Sequence, residues 1–167
     1  MLSPNTINYK ARLIHLITGI DEKALKRAKY TSEELKISNK EDKVYKTDII
    51  VSVENNIISL EMNAYYYEKL VIKNSMYSSK ILSDELNKGE DYLDLKGVIQ
   101  INIDDFHVYK GKKIIYEFMM REETTQEVEN EYYKSYHIDL KNVKRNMSIE
   151  DIIELTGLTQ EELEKLK

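Results

Sequence analysis

The chain has no cysteine and no tryptophan, and only one proline and five glycines among its 167 residues. Without cysteine neither a disulfide framework nor a thiolate-rich metal centre can form. No low-complexity stretch is visible, and both the phosphate-cradling Gly-rich loop and the Gly-x-Ser-x-Gly elbow are missing. No apolar run approaches the roughly 20 residues that cross a bilayer as a helix. The start, Met1-Leu2-Ser3-Pro4-Asn5, lacks the basic residues and long apolar stretch of a signal peptide. A cytoplasmic protein without a membrane partner is the expectation. What is present is abundant charge beside plentiful Ile, Leu, Val and Tyr, enough to bury a core as one soluble globular domain. The formal net charge is −5, with the basic excess in residues 1–47 and the acidic excess centred on 48–109. A polyanion would be repelled by that acidic segment unless a bound cation inverted the local field. Lys23, Lys26, Arg27 and Lys29 suit phosphate contacts, and equally suit a solvated helix face.

Residues 5–18 read as a helix, with Ile7, Ala11, Ile14 and Ile17 on one stripe and Gly19 at the end. Residues 20–43 are mostly polar and predict short helical stretches at best. Two β segments follow, Val44–Val53 and Ile57–Asn63, joined by Glu54-Asn55-Asn56 as a tight hairpin. A long helix is predicted over 65–87, with Tyr66, Leu70, Tyr77 and Ile81 on one face and Gly89 just beyond. Strands are expected at 97–103, 113–121 and 135–140. This order predicts an α/β domain with a mixed sheet and flanking helices over residues 1–146. Residues 147–167 form a separate two-helix tail, with capping boxes at Ser148/Asp151 and Thr159/Glu162 and Gly157 between them. The carboxylates Glu161, Glu162 and Glu164 favour docking onto the domain or a second copy, as in a homo-oligomer, over reading of a DNA groove.

With Asn55 and Asn56 as turn residues, Val53, Val51 and Ile49 face Ile58, Leu60 and Met62 on an apolar side. On the other side Ser52, Ile50 and Asp48 face Ser59, Glu61 and Asn63. Asp48 and Glu61 are then diagonal neighbours, roughly 7–8 Å apart at the backbone. Two such carboxylates can share Mg²⁺, a hard cation held by one or two carboxylates together with water and substrate phosphate. They also suit the wet face of a half-exposed hairpin. His15, His107 and His137 form no short-spaced ligand pair and His15 reads as a packing residue, while Asp104-Asp105 could line the same cleft but reads first as a strand-end turn.

The run Lys46-Thr47-Asp48-Ile49-Ile50, followed by Glu61-Met62-Asn63, resembles the Asp…Glu-x-Lys core of the PD-(D/E)XK nucleases. More closely, it resembles the group of recombination-promoting nucleases and PD-(D/E)XK nuclease family transposases, whose second motif usually reads Glu-Met-Gln. The segments Tyr65-Tyr66-Tyr67, Lys88-Gly89-Glu90-Asp91-Tyr92 and Val98–Ile103, and the ending Thr156–Leu166, follow in the group's order. The resemblance implies a restriction-endonuclease-like fold and a Mg²⁺-dependent DNA endonuclease, with Mn²⁺ as substitute. It implies Asp48 and Glu61 as metal ligands, the Met62 carbonyl as a third, and Asn63 at the position that orients water or stabilises developing charge. Lys10, where the group opens with an Asp-Phe-x-Phe-Lys type motif, and Lys46 are the implied DNA contacts. Asn63 replaces the superfamily's Lys and the group's Gln, so a second reading stands beside the first: a nuclease fold with weak or no turnover, acting as a DNA- or partner-binding regulatory module.

Overall fold

In a computed structural model the described residues are 4–31, 34–35, 45–46, 48–85, 91–146, 148–150 and 160. Most of the expected tail helices, Gly89 and most of the Lys88–Tyr92 motif lie outside them.

The first helix, α1 (Pro4–Thr18), follows the predicted stripe, with Ala11 and Ile14 fully buried. It ends where Gly19 takes a φ of 75° and its N–H donates to the His15 carbonyl at 2.8 Å. His15 Nδ1 donates to the Ile20 carbonyl at 2.8 Å, so this histidine fastens the helix end. An added Cβ at Gly19 would meet nothing within 4 Å. Gly19→Ala should therefore cost only the left-handed backbone penalty, about 1–2 kcal/mol, with Asn better tolerated. A thermal melt that is unchanged in the Ala variant would show that the turn relaxes instead. In α2 (Glu22–Arg27) the Asp21 side chain accepts from Ala24 N at 3.0 Å, and Leu25 is buried. Lys23, Lys26, Arg27 and Lys29 are all exposed, and Lys26 pairs with Glu22, as on a solvated face.

Where only short helical stretches were expected, Lys29–Thr31 forms an edge strand, β1, set against Ile50–Ser52. Three residues are too few to show a period, and the pairing partner supplies the bonds. The small strands β2 (Glu34–Leu35) and β3 (Tyr45–Lys46) pair with each other. The remaining strands are β4 (Ile49–Val53), β5 (Asn56–Asn63), β6 (Gly97–Asp104), β7 (Ile115–Met119) and β8 (Tyr133–Asp139). With β1 they form a six-stranded mixed sheet in the order β1-β4-β5-β6-β8-β7, with β5, β6 and β8 parallel at its centre. This is the α/β, restriction-endonuclease-like architecture expected from the sequence.

The long helix, α3, spans Leu70–Asp84. Leu70, Tyr77 and Ile81 are buried as expected, but Tyr65–Tyr67 form an exposed approach to the helix rather than its first turn. Tyr66 leans edge-on against Phe106, with ring centroids 5.7 Å apart. An unforeseen helix, α4 (Leu140–Asn146), begins directly after β8, where Asp139 Oδ1 accepts from Asn142 N at 2.9 Å.

The two sheet faces differ. Under α1 and α2 lies the main apolar core, in which Val51, Ile58, Leu60, Ile101 and Ile138 meet Ala11, Ile14 and Leu25. Under α3, Ile50, Ile57 and Val98 pack against Ile81. The rest of that face, toward the C-terminal ends of the parallel strands, is buried but polar.

Candidate active site

The hairpin departs from the predicted register by two residues. Its turn is Glu54-Asn55, with Glu54 at φ 51°, and Val53 pairs with Asn56, Val51 with Ile58 and Ile49 with Leu60. Asn56 is not free for the turn because it also opens the parallel ladder opposite Gly97. A two-residue shift leaves each side chain on its predicted face, so hydrophobic alternation cannot tell the two registers apart. The consequence for the site is direct. Continuing the observed register by one residue sets Asp48 opposite Glu61 rather than diagonal to it.

Asp48 is exposed, and its Oδ2 accepts from the Met62 backbone N–H at 2.8 Å. Met62 thus enters through its main chain while its side chain is 65% exposed. Glu61 is only 3% exposed. Its Oε2 lies 3.4 Å from Lys73 Nζ on α3, and its Oε1 is buried without a hydrogen-bond partner among the described residues. Burial pushes the Glu61 carboxyl above the ordinary range; Lys73 opposes the shift and the Asp48 charge adds to it.

Asn63 is buried at the end of β5, and its Nδ2 donates to Asp104 Oδ1 at 2.8 Å. Asp104 Oδ2 in turn accepts from His137 Nδ1 at 2.8 Å. The amide of Asn102 donates to the Tyr136 carbonyl at 3.2 Å and lies 3.3 Å from His137 Nε2, which accepts its other hydrogen. Asn102 Oδ1 accepts from Asn74 on α3 and from Gln100, and Gln100 is met by Ser78. In this arrangement the His137 ring donates from Nδ1 and accepts at Nε2. Tyr109 and Phe118 close over the imidazole edge-on, with centroids 5.3 and 5.9 Å away. Burial, reinforced by the Asp104 charge, holds the Tyr109 phenol up at about 12.

A family model, PD-(D/E)XK nuclease family transposase, matches residues 9–160. The chain belongs to that family. No curated protein matches it in sequence. The match covers Asp48, directly before β4, and Glu61 on β5, as well as β6 and β8, which carry Asp104 and His137.

Among the expected site residues of this nuclease-family chain, the structure brings together Asp48, Glu61 and the Met62 backbone. Asn63 sits on the same strand but turns its amide nitrogen to Asp104. Lys10 lies on α1, which covers the opposite sheet face from α3, and burial lowers its ammonium pKa. Lys46 stands in β3 opposite Glu34, and its side chain lies outside the described residues. Among the described residues no three His, Cys, Asp or Glu gather as a metal site, and no helix is long and apolar enough to cross a membrane. Lys73 carries no signal in the sequence, and Asp104 and His137 stand there only as weaker, unpaired candidates. A signal for the pair exists in retrospect: Gln100, Asn102 and Asp104 alternate along β6 as Ser135, His137 and Asp139 do along β8, and the two strands lie side by side.

Proposed function

We propose that this family member is a Mg²⁺-dependent DNA endonuclease acting in the cytoplasm, with Asp48 and Glu61 as the ligands of the ion. The observation that carries the reading is the juxtaposition of an exposed carboxylate with a buried one whose Oε1 has no partner among the described residues. A pair of carboxylates fits a hard cation that keeps several waters, and the orphaned oxygen is the donor such an ion would satisfy. When bound, the ion would supply Lewis acidity toward the phosphate and lower the pKa of a water.

The protein's own residues have distinct tasks in this reading. Asp48 is held by the Met62 N–H so that its other oxygen stays open to the site. Glu61 is fixed by burial between β5 and α3. Asn63 presents its carbonyl and its second N–H to an incoming water while Asp104 fixes its amide plane. The Met62 carbonyl is the proposed third ligand, and Lys10 and Lys46 are proposed contacts to the DNA backbone. The tail is proposed to dock on the domain or a second copy.

Supercoiled-plasmid nicking in Mg²⁺ and Mn²⁺ tests the proposal. Nicking by the wild type that Asp48→Ala lowers at least about 10²-fold is the expected result. Asn63, which carries no positive charge, favours the second reading, a binding module without turnover. Metal-independent DNA binding with no nicking in either ion would replace the endonuclease by that module.

A further inference from the structure

Position 63 is neutral, and one of its N–H groups is committed to Asp104. Phosphodiester hydrolysis builds negative charge on the phosphate oxygens, and a fixed cation aimed at them is a large source of rate. The strand that carries Glu61 and Asn63 supplies no such cation from these positions. The helix above it does.

Lys73 stands in the first turns of α3, and its ammonium is 3.4 Å from Glu61 Oε2 and 4.8 Å from the Tyr77 ring centroid. Tyr77 is buried, so the ring is a fixed platform that holds the ammonium on the side of Glu61. The Lys73 side chain is 28% exposed, which leaves it a path to a ligand. The ion pair is loose: charge-assisted N–H···O contacts usually close to about 2.7–2.9 Å, and the second oxygen of Glu61 has no hydrogen-bond partner among the described residues. An ammonium has three N–H donors, and this pairing does not use them up.

Resting on the nuclease reading above, we propose that Lys73 is the catalytic lysine of this site, delivered from α3 in place of the charge that β5 lacks at Asn63. In the step it serves, the oxygen of a water bonds to phosphorus as the bond from phosphorus to the leaving strand's oxygen breaks. The departing oxygen takes a proton from solvent, and the proton lost by the water passes to solvent. One phosphomonoester end and one hydroxyl end result. Lys73 keeps its protons throughout and donates to a non-bridging oxygen as that oxygen gains charge.

The test compares the wild type, Lys73→Met, Lys73→Arg and the double variant Lys73→Met/Asn63→Lys. Each is assayed by plasmid nicking in Mn²⁺ and by calorimetric titration of Mn²⁺ alone. Lys73→Met should nick about 10²–10³-fold more slowly while binding Mn²⁺ at least as tightly, because a competing cation beside Glu61 is gone. Lys73→Arg should keep part of the rate, and Asn63→Lys should restore part of it in the Met background. Wild-type nicking by Lys73→Met would overturn the proposal. So would a loss of Mn²⁺ affinity in step with the rate, or a loss that neither Arg nor Asn63→Lys relieves, since either marks a lysine that only holds Glu61 in shape. If the wild type does not nick, the nuclease reading fails and takes this proposal with it, an outcome distinct from a wild type that nicks and a Met variant that matches it.

Discussion

Glu61→Gln should melt higher than the wild type in EDTA near neutral pH, and it should gain little on addition of Mn²⁺. The wild-type carboxyl is buried, and desolvation raises its pKa above the ordinary value, with Asp48 adding to the shift and Lys73 opposing it. A carboxyl raised in this way binds protons more readily folded than unfolded. Stability is therefore highest below the ordinary carboxylate range and falls as pH rises from that range through the folded value. Above the folded value the destabilisation is fully present. Gln keeps the shape, still accepts from Lys73 and removes the buried charge, so its advantage should shrink as the pH is lowered into the carboxylate range. A bound cation reverses the comparison, because it stabilises only the protein that holds it. At one hundred times its Kd, Mn²⁺ should add about 2.7 kcal/mol to the wild type, a shift of roughly 5–10 °C for a chain of this size. Melting curves of both proteins across pH, with and without Mn²⁺, read all of this. Equal Mn²⁺ shifts in both would remove Glu61 from the site.

The paired carboxylates were legible in the sequence because a hairpin is a local structure: two alternating runs and an Asn-rich turn place Asp48 and Glu61 on one face. Which residues formed the turn was not legible, because registers two apart bury the same side chains. The parallel partner β6, distant in sequence, claims Asn56 and so sets the register. The polar layer was hidden for a related reason. Alternating polar residues on a strand predict a wet face, and only the cover of α3, with Asn74 and Ser78 turned inward, dries this one. Lys73 was hidden because one lysine among the polar positions of a helix carries no signal until the helix is docked. The family, by contrast, was legible from motif order along the chain, and the family match over residues 9–160 bears it out.

The buried layer predicts a large effect at Asp104, which is wholly buried and joins Asn63 to His137 through its two oxygens. Asp104→Leu leaves two buried N–H donors without acceptors, each costing about 1–3 kcal/mol. A total loss of roughly 3–5 kcal/mol and a melting point lowered by about 10 °C are expected. The loss should not be additive. In Asp104→Leu/His137→Phe the imidazole donor is gone as well, so a urea denaturation cycle should recover about 1–3 kcal/mol of coupling. Asn63→Ala added to Asp104→Leu should recover a further part, since it removes the other stranded donor. Strictly additive losses would show that the three residues are independent and that Asp104 does not fix the plane of Asn63. Coupling at Asn63 together with a slower Mn²⁺-dependent nicking rate at a temperature where the variant is fully folded would tie the buried chain to the chemistry, because folding alone would leave that rate unchanged.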